Sequence, residues 1–134
     1  MKVAIPTKGT DLNAPVDTIF GRCQYFIIVD LDTMKFDVIE NPNIGIMTKA
    51  GIKSGKMIAD RGTQVVLTDN IGPNAFSTLS TAGIQVIVGV SGMIKEAIQQ
   101  LISRPFPSAS SETVPEYFSV KGVYLGIEDD EEFI

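Results

Sequence analysis

The chain has 134 residues, 44% hydrophobic and 20% charged, enough for one domain with a real core and too ordinary a balance for wholesale disorder. It contains no histidine and one cysteine, Cys23, which excludes an internal disulfide, an all-cysteine metal cage within one chain, and any Ser–His or Cys–His dyad. The net charge of −5 is uneven: residues 1–104 come to +1 and residues 105–134 to −6, so an acidic tail follows a near-neutral domain, a balance that speaks against nucleic acid as partner.

Lys2-Val3-Ala4-Ile5-Pro6 reads as an opening strand stopped by its proline. Residues 7–22 (TKGTDLNAPVDTIFGR) have no period and form a long loop, of a length that in compact domains often carries function. Tyr25–Leu31 and Lys35–Glu40 are β-branched and aromatic, and Asp32-Thr33-Met34 between them is short enough for a hairpin. Asn41-Pro42-Asn43-Ile44-Gly45 breaks the pattern. Ala50–Arg61 then reads as a helix with Ile52, Met57 and Ile58 as its apolar stripe and Gly62 as its stop. Gln64–Leu67 is a buried strand. Pro73 suits the first turn of a helix running to Ala82 and closed by Gly83. Ile84–Val88 is another strand, and Met93–Ser103 a last helix with Ile94, Ala97, Ile98 and Leu101 at helical spacing.

The strand–helix–strand–helix order after Gly62, with apolar runs VVL and VIV, predicts a parallel sheet covered on both faces, and the hairpin before it makes the sheet mixed. The expected fold is three-layer α/β/α around a mixed five-stranded sheet in residues 1–104. Residues 105–134 form a Pro/Ser linker and acidic tail, within which Tyr117–Ile127 could add an edge strand or dock on the domain. No apolar run reaches the ~18 residues needed to span a bilayer. KVAIP after Met1 is too short for a signal sequence, so a cytoplasmic location is expected.

Ligands of open α/β sheets settle outside the carboxyl ends of the parallel strands. That edge gathers Lys8, the Asn70-Ile71-Gly72-Pro73-Asn74 loop and the Gly89-Val90-Ser91-Gly92 loop; both loops lead into helices, whose first amides favour an anion. Lys8, Arg22 and Lys49 are the basic residues placed to join them. The plainer alternative for Gly72, Gly89 and Gly92 is that they close turns. Cys23 has two readings: a small buried hydrophobe ahead of an apolar strand, or, with Arg22 beside it favouring thiolate, one soft ligand to a metal cluster. Gly51-Ile-Lys-Ser-Gly55-Lys56-Met57 imitates a phosphate loop but is one residue short, ends in methionine and lies inside a helix. Asp30 and Asp69 could end neighbouring strands as a carboxylate pair, yet the opening strand adds no third acid. No nucleophile–base pair emerges, and the chain is expected not to be an enzyme.

Phe20-Gly21-Arg22-Cys23 before a strand with Asp30, the Asn41-Pro42 break, Ala50-Gly51-Ile52 and Ile71-Gly72-Pro73-Asn74-Ala75-Phe76 occur in that order after KVAIP. This ordered set resembles the dinitrogenase iron–molybdenum cofactor biosynthesis family over about residues 1–103. The resemblance implies a ribonuclease-H-like fold used as a non-enzymatic carrier of anionic metal–sulfur clusters, molybdenum–iron or molybdenum–copper, with cluster-biosynthesis proteins or a partner ATPase as associates. Many such proteins carry histidine where this chain has Ile19, and His-Gly where it has Thr48-Lys49. Any cluster here would therefore be held electrostatically, with Cys23 the one candidate sulfur ligand. The alternative is an interaction or regulatory module that keeps the fold without the ligand.

Overall fold

The computed structural model describes residues 1–44 and 50–103; Lys49 and the tail expected from residue 105 lie outside the described residues. Eight elements follow in chain order: β1 (Lys2–Thr7), β2 (Tyr25–Asp30), β3 (Phe36–Glu40), α1 (Ala50–Asp60), β4 (Val65–Leu67), α2 (Pro73–Thr81), β5 (Gln85–Ile87) and α3 (Ile94–Ser103). The strands make one sheet in the order β3-β2-β1-β4-β5. β2 is antiparallel to both β1 and β3, while β1–β4 and β4–β5 are parallel, so the sheet is mixed as expected.

Period-2 alternation builds the three layers. Val3, Ile5, Ile27, Val29, Val65, Leu67 and Ile87 point to one face and meet Ile94, Ala97, Ile98 and Leu101 of α3. Ala4, Phe26, Ile28, Val66 and Val86 point to the other and meet Ile58 of α1 and Ala75 and Leu79 of α2. No helix among the described residues is long and apolar enough to cross a membrane.

Two local readings change. Pro6 does not stop β1; the strand runs on through Thr7, and Pro6 registers with Phe26. Its lack of an N–H does no harm because the pairing with β4 is at Val3 and Ala4, before the proline, and its carbonyl accepts the Asp17 N–H at 2.8 Å. Helix α1 buries only Ile58 of its expected stripe completely. Its buried face is Ala50, Ser54, Gly55 and Ile58, whereas Ile52 and Met57 are only half-buried. The reason is close approach to α2. A Cβ on Gly51 would lie 3.0 Å from the Ala75 Cβ, and one on Gly55 3.0 Å from the Thr78 Cγ2. The glycines of the imitation phosphate loop are thus packing positions. Asp30 and Asp69 do not pair either: Asp30 registers with Lys2 at the amino edge of the sheet and accepts the Asp32 N–H in the hairpin turn, while Asp69 follows β4 at the carboxyl edge.

Candidate functional site

The carboxyl edge gathers the ends of β1, β4 and β5, the start of β2, the end of β3 and the first turns of all three helices. The long loop after β1 crosses this edge. It first lies on the α3 side, where Ala14 and Val16 join the core, then passes to the other side, where Phe20 and Cys23 do. The crossing is pinned between β1 and β4: Asn70 N–H donates to the Thr18 carbonyl at 2.9 Å, and Phe20 N–H to the Asn70 carbonyl at 3.1 Å. The carboxyl edge between β1 and β4, where ligands of open α/β sheets settle, is therefore bridged by backbone.

The edge divides into two unlike halves. On the α3 side the loop closes on itself. Gly89 and Val90 N–H donate to the Asp69 and Thr68 carbonyls, Val16 N–H donates to the Gly92 carbonyl, and the first amides of α3, Ile94 and Lys95, donate to Ala14 and Leu12. Gly89 and Gly92 sit at φ +74° and +84°, so for this pair the turn-closing reading holds. Ser91 is exposed between them. With α3 capped by loop carbonyls and carrying its own acid, Glu96, in the first turn, this half has little left to offer an anion.

The α1/α2 side is different. Helix α2 begins at Gly72 with Pro73 in its first turn and no side-chain cap, and a Cβ at Gly72 would meet nothing within 4 Å. Its first turn holds no acid, and neither does that of α1. Helix α1 instead has Lys53 there, a cation at the positive end of the macrodipole. The two first turns touch: the ideal Cβ of Gly51 is 3.4 Å from the Ala75 backbone nitrogen. Gly21, at φ +102°, closes the group, its ideal Cβ only 3.1 Å from the Gly51 Cα. Arg22 stands exposed between buried Gly21 and buried Cys23, and Asn74 is exposed on the first turn of α2. Gly21, Gly51 and Ala75 are thus in backbone contact, and Arg22 on one side and Gly72, Pro73 and Asn74 on the other are their chain neighbours, with Asn70 and buried Ile71 leading in. Lys8 is exposed where the loop leaves β1, on the same edge.

A buried polar network, unforeseen in the sequence, holds the Gly21–Cys23 segment. Asn41, 2% exposed, donates from Nδ2 to the Gly21 carbonyl at 3.1 Å and the Cys23 carbonyl at 2.9 Å. Its Oδ1 accepts the Asn43 N–H at 3.0 Å and the Ser54 hydroxyl at 3.4 Å. Ser54 also lies 3.3 Å from the Gly21 carbonyl. One side chain thereby joins the end of β3, the Arg22 loop and α1. The signal in the sequence was Asn41 itself, immediately after a strand, and an asparagine has the donors and acceptor to staple three backbones.

Cys23 belongs to the core. It is 0% exposed, and burial, followed by the charge of Asp17, pushes its thiol up to about 12. Both observations favour its reading as a small buried hydrophobe: the sulfur is not presented at the edge, and the thiol is held protonated. Among the described residues no three His, Cys, Asp or Glu side chains come together to hold a metal ion. Folded protein treated with a disulfide reagent at about pH 8 is expected to react at least about a hundredfold more slowly than urea-unfolded protein. Equal rates would show Cys23 to be accessible. Burial also raises the carboxyl of half-exposed Asp69, the acid nearest the α2 loop.

The family model described as dinitrogenase iron-molybdenum cofactor matches residues 1–104. The apo orange protein from Desulfovibrio gigas superposes with a TM-score of 0.81 at 32% identity, covering 84% of this chain and 95% of that one. A Thermotoga protein solved by NMR and provisionally described as NifB superposes with a TM-score of 0.73 at 33% identity, covering 84% and 96%. An uncharacterised protein from Methanocaldococcus jannaschii is 32% identical over 102 residues, 74% of this chain and 83% of its own.

Proposed function

Because the chain belongs to the dinitrogenase iron-molybdenum cofactor family, we propose that it binds and carries an anionic metal–sulfur cluster in cofactor biosynthesis, without catalysing a reaction on it. The observation that carries this reading is the contact between two helix first turns, α1 and α2, both lacking an acid, beside exposed Arg22. Amides and a guanidinium donate hydrogen bonds and do not accept them, a chemistry suited to the sulfide and oxide faces of a cluster.

The residues fit such a cargo by hydrogen bonding and charge, not by coordination. Histidine is absent from the chain, and Cys23 is sealed in the core. Asn74 and the amides of α2 would orient the anion; Arg22 would neutralise it, with Lys53 and Lys8 adding positive potential. Association with other cluster-assembly proteins follows from this reading, since a cargo held without coordination is suited to transfer.

Incubation with tetrathiomolybdate and copper, then gel filtration, tests it. Charge-transfer absorption is expected to co-elute with the protein, and Arg22→Ala is expected to weaken retention about tenfold or more, the worth of one charge-assisted hydrogen bond. Asp69→Asn is expected to strengthen it by removing a negative charge beside the α2 loop. A colourless protein fraction would overturn the reading. It would favour instead an interaction module that keeps the fold without cargo, to which the lack of histidine and the buried cysteine also point.

A further inference from the structure

Seven large apolar side chains are exposed among the described residues; Phe36 and Val38 are on β3, Met34 in the turn before it, Met1 just before β1 and Ile102 in the last turn of α3. Phe36 and Val38 register with Val29 and Ile27 of β2, which point into the α3-side core. The cover over that face stops at this boundary: Val29 and Ile27 are 0% exposed, Phe36 and Val38 each 38%. Among the described residues β3 is also an edge strand, so every second residue turns its N–H and C=O away from β2 with no neighbouring strand among them.

The course of the chain supplies an occupant. Helix α3 starts at the carboxyl edge and runs back across this same face to end at Ser103, near the amino edge, where the β2–β3 turn also lies. The remaining 31 residues, 104–134, depart from there. From β5 to β3 is four strand spacings, about 19 Å. The thirteen residues before Tyr117 reach about 40 Å when extended, twice what is needed. Residues 117–127, YFSVKGVYLGI, combine aromatic and β-branched residues in the manner of a strand.

We propose that residues 117–127 add to the open edge of β3 as a sixth strand. Its aromatic and β-branched side chains then flank Phe36 and Val38 on the α3 face, and its backbone satisfies the outward groups of β3. The edge is closed by the chain's own tail rather than left to pair with another molecule.

Hydrogen–deuterium exchange on the full chain tests this, comparing wild type with a Phe118→Ser/Tyr124→Ser variant whose changes lie in none of the eight elements described above. Exchange in a peptide spanning residues 34–40 is expected to quicken about tenfold in the variant, while peptides from β1 and β5 stay as they were. The same pattern is expected across a range of protein concentrations. Unchanged exchange at β3 would overturn the proposal. So would a change at β5 instead, or protection at β3 that grows with concentration, which would identify a second copy as the occupant.

Discussion

Replacing Gly21 by alanine is expected to destabilise the protein by about 2–4 kcal/mol, a fall of about 10 °C in Tm, and to abolish cluster retention. Two independent effects combine. The backbone is at φ +102°, which an L side chain resists, and the new methyl would meet the Gly51 Cα at 3.1 Å. Backbone atoms cannot turn aside as a flexible side chain can, so either the Arg22 loop or the first turn of α1 must move. Gly62→Ala isolates the first effect, because Gly62 has φ +77° with nothing within 4 Å of an added Cβ. Its cost should stay near 1 kcal/mol. Urea unfolding of both variants measures the difference. Equal losses would mean that the contact with Gly51 does not constrain the site.

Asn41→Ala should cost about 3 kcal/mol. The change strands the buried Cys23 carbonyl and the buried Asn43 N–H, whose desolvation goes uncompensated once the partner is gone, and leaves the Gly21 carbonyl with only the longer Ser54 bond at 3.3 Å. Ser54→Ala removes only longer bonds, at 3.3 and 3.4 Å, and should cost distinctly less. Asn41 has no place in the contact with cargo, yet its loss frees the loop that carries Arg22. Cluster retention is therefore expected to fall together with stability, and exchange of the amides in residues 20–24 to accelerate more than in β4. If retention survived while stability fell, the network would be structural alone.

Much of the architecture was legible in the residues, for identifiable reasons. Helix α3 buries Ile94, Ala97, Ile98 and Leu101 as its spacing predicts, because it packs on a sheet with room for large side chains. The glycine stops at Gly62 and Gly83 hold, at φ +77° and +80°. Helix α1 was legible in extent but not in orientation: periodicity weighs large apolar residues, and this helix buries small ones to approach α2. The site was half legible. The segment before Arg22 is tied to the start of the α2 loop through Phe20 and Asn70, whereas the Gly89–Gly92 loop is engaged by residues 12–16, a long-range pairing with no local trace. Asn41 looked like the punctuation of a strand end, and the phosphate-loop imitation concealed two packing glycines. In each of these cases the deciding partner is distant in sequence, and pattern reading within a window does not reach it.

The meeting of Gly21, Gly51 and Ala75 also bears on how such a site diversifies. Its shape is set by main chain against main chain, and the only side chain within it is a methyl group. Residues that project from it, Arg22 and Asn74, are exposed and make no part of that contact. The two glycines and the alanine of the platform, by contrast, cannot grow. On the proposed reading, the inorganic anion held at this edge could be changed by surface substitution alone, over a platform that stays as it is.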